Sequence, residues 1–335
     1  MKTIAFTQIS PKRTGGNAWV QEVIEAVSSK RDSFSVETID LSAKRFKKIK
    51  FLNALEVFFN LLTLRGERDL WIRNFYSIVF LNKKRTKGKN VAFIFHIDFS
   101  GFPWFLRPFL VFLEKFIFYR QLRRADVIVV VSEYWKKHFV DKGYKNVEKI
   151  YFEIDPSDFI VSDEEVSEFK EKYNLKNKPI IYLGNCQKAK GVIDSYNALK
   201  DLDAYFVTSG KKEIDIPALN LDLSLREYFI LLKASTIVLT MSKFKEGWCR
   251  TTYEAMILKT PVIGSGAGGM RELLDGGRQM VCENFRNLKE KAEILLKDEN
   301  LRKKMGQDGY DYTKEFTKER FKKAWIDLIE KTLNV

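Results

Sequence analysis

The run Glu246-Gly247-Trp248-Cys249-Arg250-Thr251-Thr252-Tyr253-Glu254-Ala255-Met256 carries two carboxylates at positions i and i+8. The apolar stretch before it, ending at Thr240, reads as a buried strand, and residues 251–258 read as a helix. Glu246 then stands in the loop at the carboxyl end of a parallel strand, where open α/β sheets take their ligands. The helix starting around Arg250 or Thr251 aims unpaired N–H groups and a positive dipole end at the same place, which suits a phosphate. Glu254 falls about one turn inside that helix. A carboxylate there can accept two hydroxyl hydrogen bonds, as a ribose diol offers.

Strand-like apolar runs alternate with helical patterns along the whole chain. Residues 3–7, 91–95, 127–131, 179–183, 204–208, 236–240 and 261–264 read as buried strands. Alternation of this kind is the signature of parallel sheets covered by helices on both faces. The pattern restarts near residue 178, after a polar stretch with Pro156 and an acidic run at 163–165. We expect a first domain over 1–154 and a second over 155–316. A final helix over about 317–335 carries an apolar stripe at Phe321, Trp325, Leu328 and Ile329 and is expected to pack back on the first domain.

A length of 335 residues exceeds one ordinary core and agrees with two domains. Hydrophobic residues at 45% and charged residues at 30% exclude a disordered chain. No run reaches the roughly 20 apolar residues of a spanning helix; the nearest, 99–118, is interrupted by Arg107, Glu114 and Lys115. Cys186, Cys249 and Cys282 are odd in number and widely spaced, which fits a reduced, cytoplasmic setting. The N-terminal run is too short for a secretory leader. The net charge of +14 would draw polyanions such as nucleic acid, anionic headgroups or phosphorylated substrates, unless it reflects general lysine enrichment of a solvated surface.

The combined string around Glu246 and Glu254, followed by Thr260-Pro-Val-Ile-Gly264 and Gly268-Gly-Met-Arg-Glu272, resembles the retaining GT-B glycosyltransferases of family 4. The resemblance covers nearly the whole chain and is strongest from about residue 180 to 272. It implies a GT-B fold, two Rossmann-like doubly wound parallel-sheet domains facing a central cleft. The first domain would bind the acceptor and the second a nucleotide-sugar donor, UDP- or GDP-linked. It also implies Glu246 on hydroxyls of the transferred sugar, Glu254 on the nucleotide ribose, and the stretch Gly247, Trp248, Cys249, Arg250 and Thr251 along the sugar and diphosphate. Tyr182-Leu-Gly184-Asn185-Cys-Gln-Lys188-Ala-Lys190-Gly191 resembles the first strand and loop of the donor domain, with Lys190 neutralising the diphosphate. Two departures stand out: Asn185 replaces an arginine, and Cys249 replaces a glycine. In the first domain, Gly15 and Gly16 follow the first strand in a turn through Asn17, with Gly16 on the donor side and Gly15 and Asn17 toward the acceptor. His96, after strand 91–95, would lie near the reacting sugar, with Asp98 beside it. Ser132 is the acceptor-cleft candidate after strand 127–131. The resemblance also implies no bound metal or other cofactor, and the sequence agrees in having no metal-binding acidic cluster beside the donor site.

The acceptor is expected to be a hydroxyl of a glycan, a lipid-linked sugar or a glycolipid. Residues 44–62 join a basic stretch (Lys44, Arg45, Lys47, Lys48, Lys50) to apolar residues at helical spacing (Phe51, Leu55, Phe58, Phe59, Leu62). Such a segment packs on the N-terminal sheet with its lysines solvated, lies at an anionic surface such as the inner face of a membrane, or meets nucleic acid. Two other functions fit the pattern: a GT-B enzyme whose acceptor is nucleic acid, and a nucleotide-sugar-binding protein without catalysis.

Overall fold

The structure, a computed structural model, describes the chain except residues 10–14, 31, 48 and 100–103, and the side chains of residues 15–18 and 50. The chain divides into two compact units, Met1–Glu153 with Lys318–Val335, and Ile154–Thr317.

The first unit is built on six parallel strands: β1 (Lys2–Gln8), β2 (Phe34–Asp40), β3 (Gly66–Arg73), β4 (Thr86–Ile94), β5 (Val127–Val130) and β6 (Val147–Lys149). Their order is β2-β1-β3-β4-β5-β6, so the direction of winding reverses between β1 and β3. The central strands are apolar on both faces, as a sheet covered on both sides requires; Val91 to Ile94 are all buried. The C-terminal helix Lys318–Leu333 rests on the helix Gly15–Ser28. Its stripe residues Phe321, Trp325, Leu328 and Ile329 are buried, and Trp325 meets Phe93 edge-on at 4.9 Å.

Two local expectations need correction here. The chain is already helical at Gly15, so the glycine pair opens a helix instead of sitting in a turn through Asn17. Residues 44–62 are not one helix either: the helix is Lys50–Thr63. The basic stretch ahead of it is held by Glu56, whose carboxylate accepts the N–H groups of Lys44, Arg45 and Phe46 at 2.9–3.1 Å. The apolar stripe does not pack on the sheet. Phe51 is 71% exposed and Phe59 64%, while Leu55, Phe58 and Leu62 also face solvent.

The second unit has six parallel strands: β7 (Ile180–Asn185), β8 (Tyr205–Ser209), β9 (Leu219–Leu221), β10 (Ile237–Thr240), β11 (Val262–Gly264) and β12 (Met280–Val281). The order is β12-β11-β10-β7-β8-β9. The strand following β9 returns to the other side of β7, so the topological switch lies between β7 and β10, which are direct neighbours. Both strands are buried along nearly their full length. The loops leaving their carboxyl ends carry Asn185 through Lys190 and Met241 through Cys249. A backbone hydrogen bond from Lys243 N–H to the Ala189 carbonyl, at 2.9 Å, ties these two loops together.

Candidate active site

The crevice of a doubly wound sheet opens where strand order reverses. Glu246 and Lys190 meet there: Lys190 Nζ donates to Glu246 Oε1 at 2.7 Å. Ser242 Oγ donates to the same oxygen at 2.5 Å. The backbone of Glu246 is fixed as well. Its N–H donates to Ala267 O at 3.1 Å, and its carbonyl accepts Gly269 N–H at 2.9 Å. Gly268 makes this close approach possible. It sits at φ +72°, and a Cβ there would lie 2.5 Å from Glu246 O. Gly191, at φ +72°, similarly lets the lysine loop approach Met241 O, which a Cβ would meet at 2.2 Å.

Glu254 lies in the helix Arg250–Ile257 and is buried. Arg250 Nε donates to its Oε1 at 2.6 Å, and Tyr228 OH to its Oε2 at 3.1 Å. Each carboxylate oxygen takes one of these donors and keeps a second lone pair for a ligand hydroxyl. Burial pushes the Glu254 carboxyl above the usual carboxylate range, against the opposing pull of the Arg250 guanidinium. Tyr228 comes from the helix Leu225–Ala234, whose start is set by a reciprocal cap between Ser224 and Glu227. With its proton donated to Glu254, the Tyr228 oxygen can accept from Thr251 Oγ1, 3.2 Å away.

Asn185 ends β7 with its Oδ1 accepting from Tyr182 OH at 3.2 Å and Ser209 Oγ at 3.1 Å. With the oxygen so used, the amide Nδ2 hydrogens are what the residue can offer a ligand. Cys249 immediately precedes the helix in the left-handed region, φ 55°. That conformation favours glycine, which accounts for the resemblance having glycine at this point. Its Sγ is buried and accepts from Thr252 Oγ1 at 3.1 Å, and burial pushes the thiol up to about 12. Gly247 and Trp248 are buried, and the Trp248 ring meets Phe316 edge-on at 5.4 Å, so this indole packs into the unit's core.

In the first unit His96 and Asp98 follow β4 and line a cavity of about 230 Å³, together with Thr7 and Gln8 from β1 and Asn74 and Tyr76 after β3. This is the switch point of that sheet. His96 is exposed and Asp98 half-buried. Burial, reinforced by the Asp98 charge, pushes the Tyr76 hydroxyl up to about 12. Ser132 does not reach a cleft. It is fully buried, and its Oγ caps the helix Glu133–Asp141 by accepting from Trp135 N–H. Gly15 and Gly16 lie in the first turn of their helix, and the Asn17 side chain falls outside the described residues.

Ser242, Tyr228, Ser209 and Tyr76 stand at the candidate sites and were passed over by sequence reasoning, which quoted Tyr182 in its motif without giving it a role. Ser242 had a signal, standing four residues before Glu246 in a loop already marked for chemistry. Tyr228 and Ser209 arrive from other elements, and no local pattern announces them.

Residues 163–312 match the model of the family Glycosyl transferases group 1. Over its full length the chain superposes on the Anabaena HepE structure in complex with UDP-glucose, with a TM-score of 0.77, 15% identity, and coverage of 99% of this chain and 100% of that one. The fold is GT-B. Relatives by sequence include an uncharacterised glycosyltransferase of Methanocaldococcus jannaschii, 26% identical over 62% of this chain and 60% of that protein. Another is the N-acetyl-alpha-D-glucosaminyl L-malate synthase of Bacillus anthracis, 28% identical over 56% of this chain and 54% of that protein. The chain thus spans between half and two thirds of the length of these curated relatives. The family match falls on the GT-B unit that holds Glu246 and Glu254.

Proposed function

We propose that this GT-B protein is a retaining glycosyltransferase that moves a sugar from a UDP- or GDP-linked donor to an acceptor hydroxyl without a bound metal ion. The observation that carries the reading is the pair of buried carboxylates at one switch point, each already held by its own cation, Lys190 on Glu246 and Arg250 on Glu254. Buried carboxylates are retained at such cost where they hold a ligand. In this scheme Glu254 accepts the ribose hydroxyls, and Glu246 accepts hydroxyls of the sugar. An ammonium has three donors, so Lys190 can serve Glu246 and the diphosphate together. The amides opening the helix Arg250–Ile257 add their positive end. The bond from the anomeric carbon to the phosphate oxygen breaks, a bond from that carbon to the acceptor oxygen forms on the same face, and the acceptor proton passes to the leaving phosphate. Positioning and stabilisation of the leaving group then supply the rate. His96 and Asp98 serve the acceptor side. Match to a protein with UDP-glucose in its crystal favours a uridine donor.

The acceptor fits best as a glycan or lipid-linked hydroxyl, and the exposed stripe of residues 51–62 with its basic neighbour supports work at a membrane face. A second reading, donor binding without turnover, is favoured by Asn185 standing where the resemblance has a cation. A screen of UDP-, GDP- and ADP-sugars by thermal unfolding tests the binding claim, because a ligand at 100 times its Kd stabilises by about 2.7 kcal/mol. No stabilisation by any of them overturns the proposal. Transfer and donor hydrolysis measured on wild type and Glu246→Ala then separate the two readings.

A further inference from the structure

A second apolar element stands exposed in the first unit. Trp104 is 80% exposed and Phe105 62%, and Phe109, Phe112 and Phe116 are each half exposed or more. Residues 107–122 form one helix with a π-type stretch at Leu113–Phe118. Its inner side is anchored, since Phe118 is fully buried and stacks on Phe75 at 4.3 Å. The outer side therefore shows aromatic rings by construction, not through lack of a core. A monomer in water rarely exposes so many large rings together.

The loop Phe80 to Arg85 joins this element to the exposed helix Lys50–Thr63. Phe58 of that helix meets Phe80 edge-on at 5.0 Å, and Arg85 Nη1 donates to Leu62 O at 2.7 Å. Between the two elements opens a cavity of about 630 Å³, whose wall includes Leu62, Phe80, Lys83, Lys84, Gln121 and Arg124. Lys83 also approaches Asp126 at 3.7 Å. Gln121 Oε1 is buried there and has no hydrogen-bond partner.

Charge decides what covers these faces. Residues 104–124 contain Arg107, Lys115, Arg120, Arg123 and Arg124 against Glu114, and the intervening loop has Lys83, Lys84 and Arg85 with no acid of its own; of the lysines that follow in β4, Lys87 pairs with Glu67 and Lys89 with Asp126. The one acid of the helix Lys50–Thr63, Glu56, is spent on the N–H groups of the basic stretch before it. A second copy of this chain would bring the same positive charge to the contact and be repelled. A bilayer with anionic phospholipid offers the complementary sign and an apolar phase for the rings.

Resting on the membrane-face reading proposed above and extending it to the element 104–124, we propose that the first unit docks on anionic phospholipid bilayers through both elements, with the rings of Trp104, Phe105 and Phe109 and of Phe51 and Phe59 entering the acyl boundary and a lipid phosphate entering the cavity beside Lys83, Lys84 and Arg124. The surface shares no residue with the donor site, so vesicle binding and sugar transfer succeed or fail separately.

Co-sedimentation of the full chain with vesicles of phosphatidylcholine, and of phosphatidylcholine mixed with phosphatidylglycerol, tests this. Wild type binds the mixed vesicles and not the neutral ones, and binding weakens as salt rises. Trp104→Ser with Phe105→Ser lowers the partition coefficient at least about tenfold, and Phe51→Ser with Phe59→Ser does so independently. Lys83→Ala and Lys84→Ala each lower it about fivefold. All these positions are on the surface, and an unchanged melting temperature verifies that the variants fold. The proposal is overturned if wild type ignores both vesicles, if the ring variants bind as well as wild type, or if wild type self-associates in sedimentation equilibrium and the ring variants abolish that without any vesicle binding.

Discussion

Replacing Glu246 by glutamine keeps the shape of the side chain and removes its charge. The amide oxygen can still accept from Ser242, which now stands 2.5 Å from Oε1, and from Lys190, at 2.7 Å. What disappears is the ionic part of the pair. The Lys190 side chain is 30% exposed, so water screens the interaction and can solvate the ammonium once it is released. The expected stability loss is therefore about 1 kcal/mol or less. The effect on transfer is larger. A hydrogen bond from a hydroxyl to a carboxylate contributes about 1.5–3 kcal/mol and one to a neutral amide about 1. Two sugar hydroxyls then lose about 1–4 kcal/mol together, or about 5- to 700-fold in kcat/KM. The nucleoside diphosphate without its sugar should bind Glu246→Gln as well as wild type or better, because Lys190 is released toward the diphosphate. Denaturant unfolding reads the stability loss, and steady-state transfer kinetics with calorimetric titration of nucleotide and nucleotide-sugar read the other two. Transfer at the wild-type rate by a folded Glu246→Gln protein refutes the assignment. Equal weakening of nucleotide and nucleotide-sugar would show that Glu246 acts only by holding Lys190.

Three further outcomes follow from the same geometry. Because burial raises the folded-state pKa of Glu254, its contribution to stability is fully present below the ordinary carboxyl value, about 4.3, and is lost as pH rises through the raised one. The melting temperature of ligand-free Glu254→Gln should accordingly gain on wild type across that window, while its nucleotide affinity falls; a gain in the opposite direction would mean that the Arg250 pair outweighs burial. Gly268→Ala forces a Cβ to 2.5 Å from Glu246 O and 2.8 Å from its N in a left-handed backbone. It should cost more than about 2 kcal/mol and weaken donor binding, checked by denaturant unfolding and titration. Cys249→Gly relieves a left-handed residue, worth about 1–2 kcal/mol, against the lost burial of Sγ and a more flexible unfolded chain. Its unfolding free energy should stay within about 1 kcal/mol of wild type, and a larger loss would show that the thiol is an anchor of the loop.

The donor half of the fold was legible because its buried strands are unbroken apolar runs. Ile180 to Leu183 and Ile237 to Thr240 need no periodicity to be read, and the Gly268-Gly269 pair marks the close approach to Glu246. β3 escaped notice because its first half is Gly-Glu-Arg-Asp; only Leu70, Trp71 and Ile72 pair with β1, while the Asp69 carboxylate binds Lys2 and Thr3 and Arg68 pairs with Glu37 of β2. β6, β9 and β12 are two or three residues long at or near sheet edges, too short for any pattern. The basic stretch before Lys50 read as helix because charge and spacing continue smoothly. Its release from the helix depends on Glu56 turning back to its N–H groups, a contact no propensity encodes. At the site itself the two glutamates and Lys190 were visible one by one. That Lys190 and Glu246 bind each other, across 56 residues of sequence, was not. Nor was the role of Tyr228, which reaches Glu254 from a helix 26 residues earlier.

A crystal structure of this protein with a nucleoside-diphosphate sugar tests the central claim most directly. The account predicts the diphosphate at the carboxyl ends of β7 and β10 beside Lys190, the ribose diol on Glu254 and the sugar hydroxyls on Glu246. A donor bound at another edge of either sheet, with the Lys190–Glu246 and Arg250–Glu254 pairs unchanged and untouched, would contradict it.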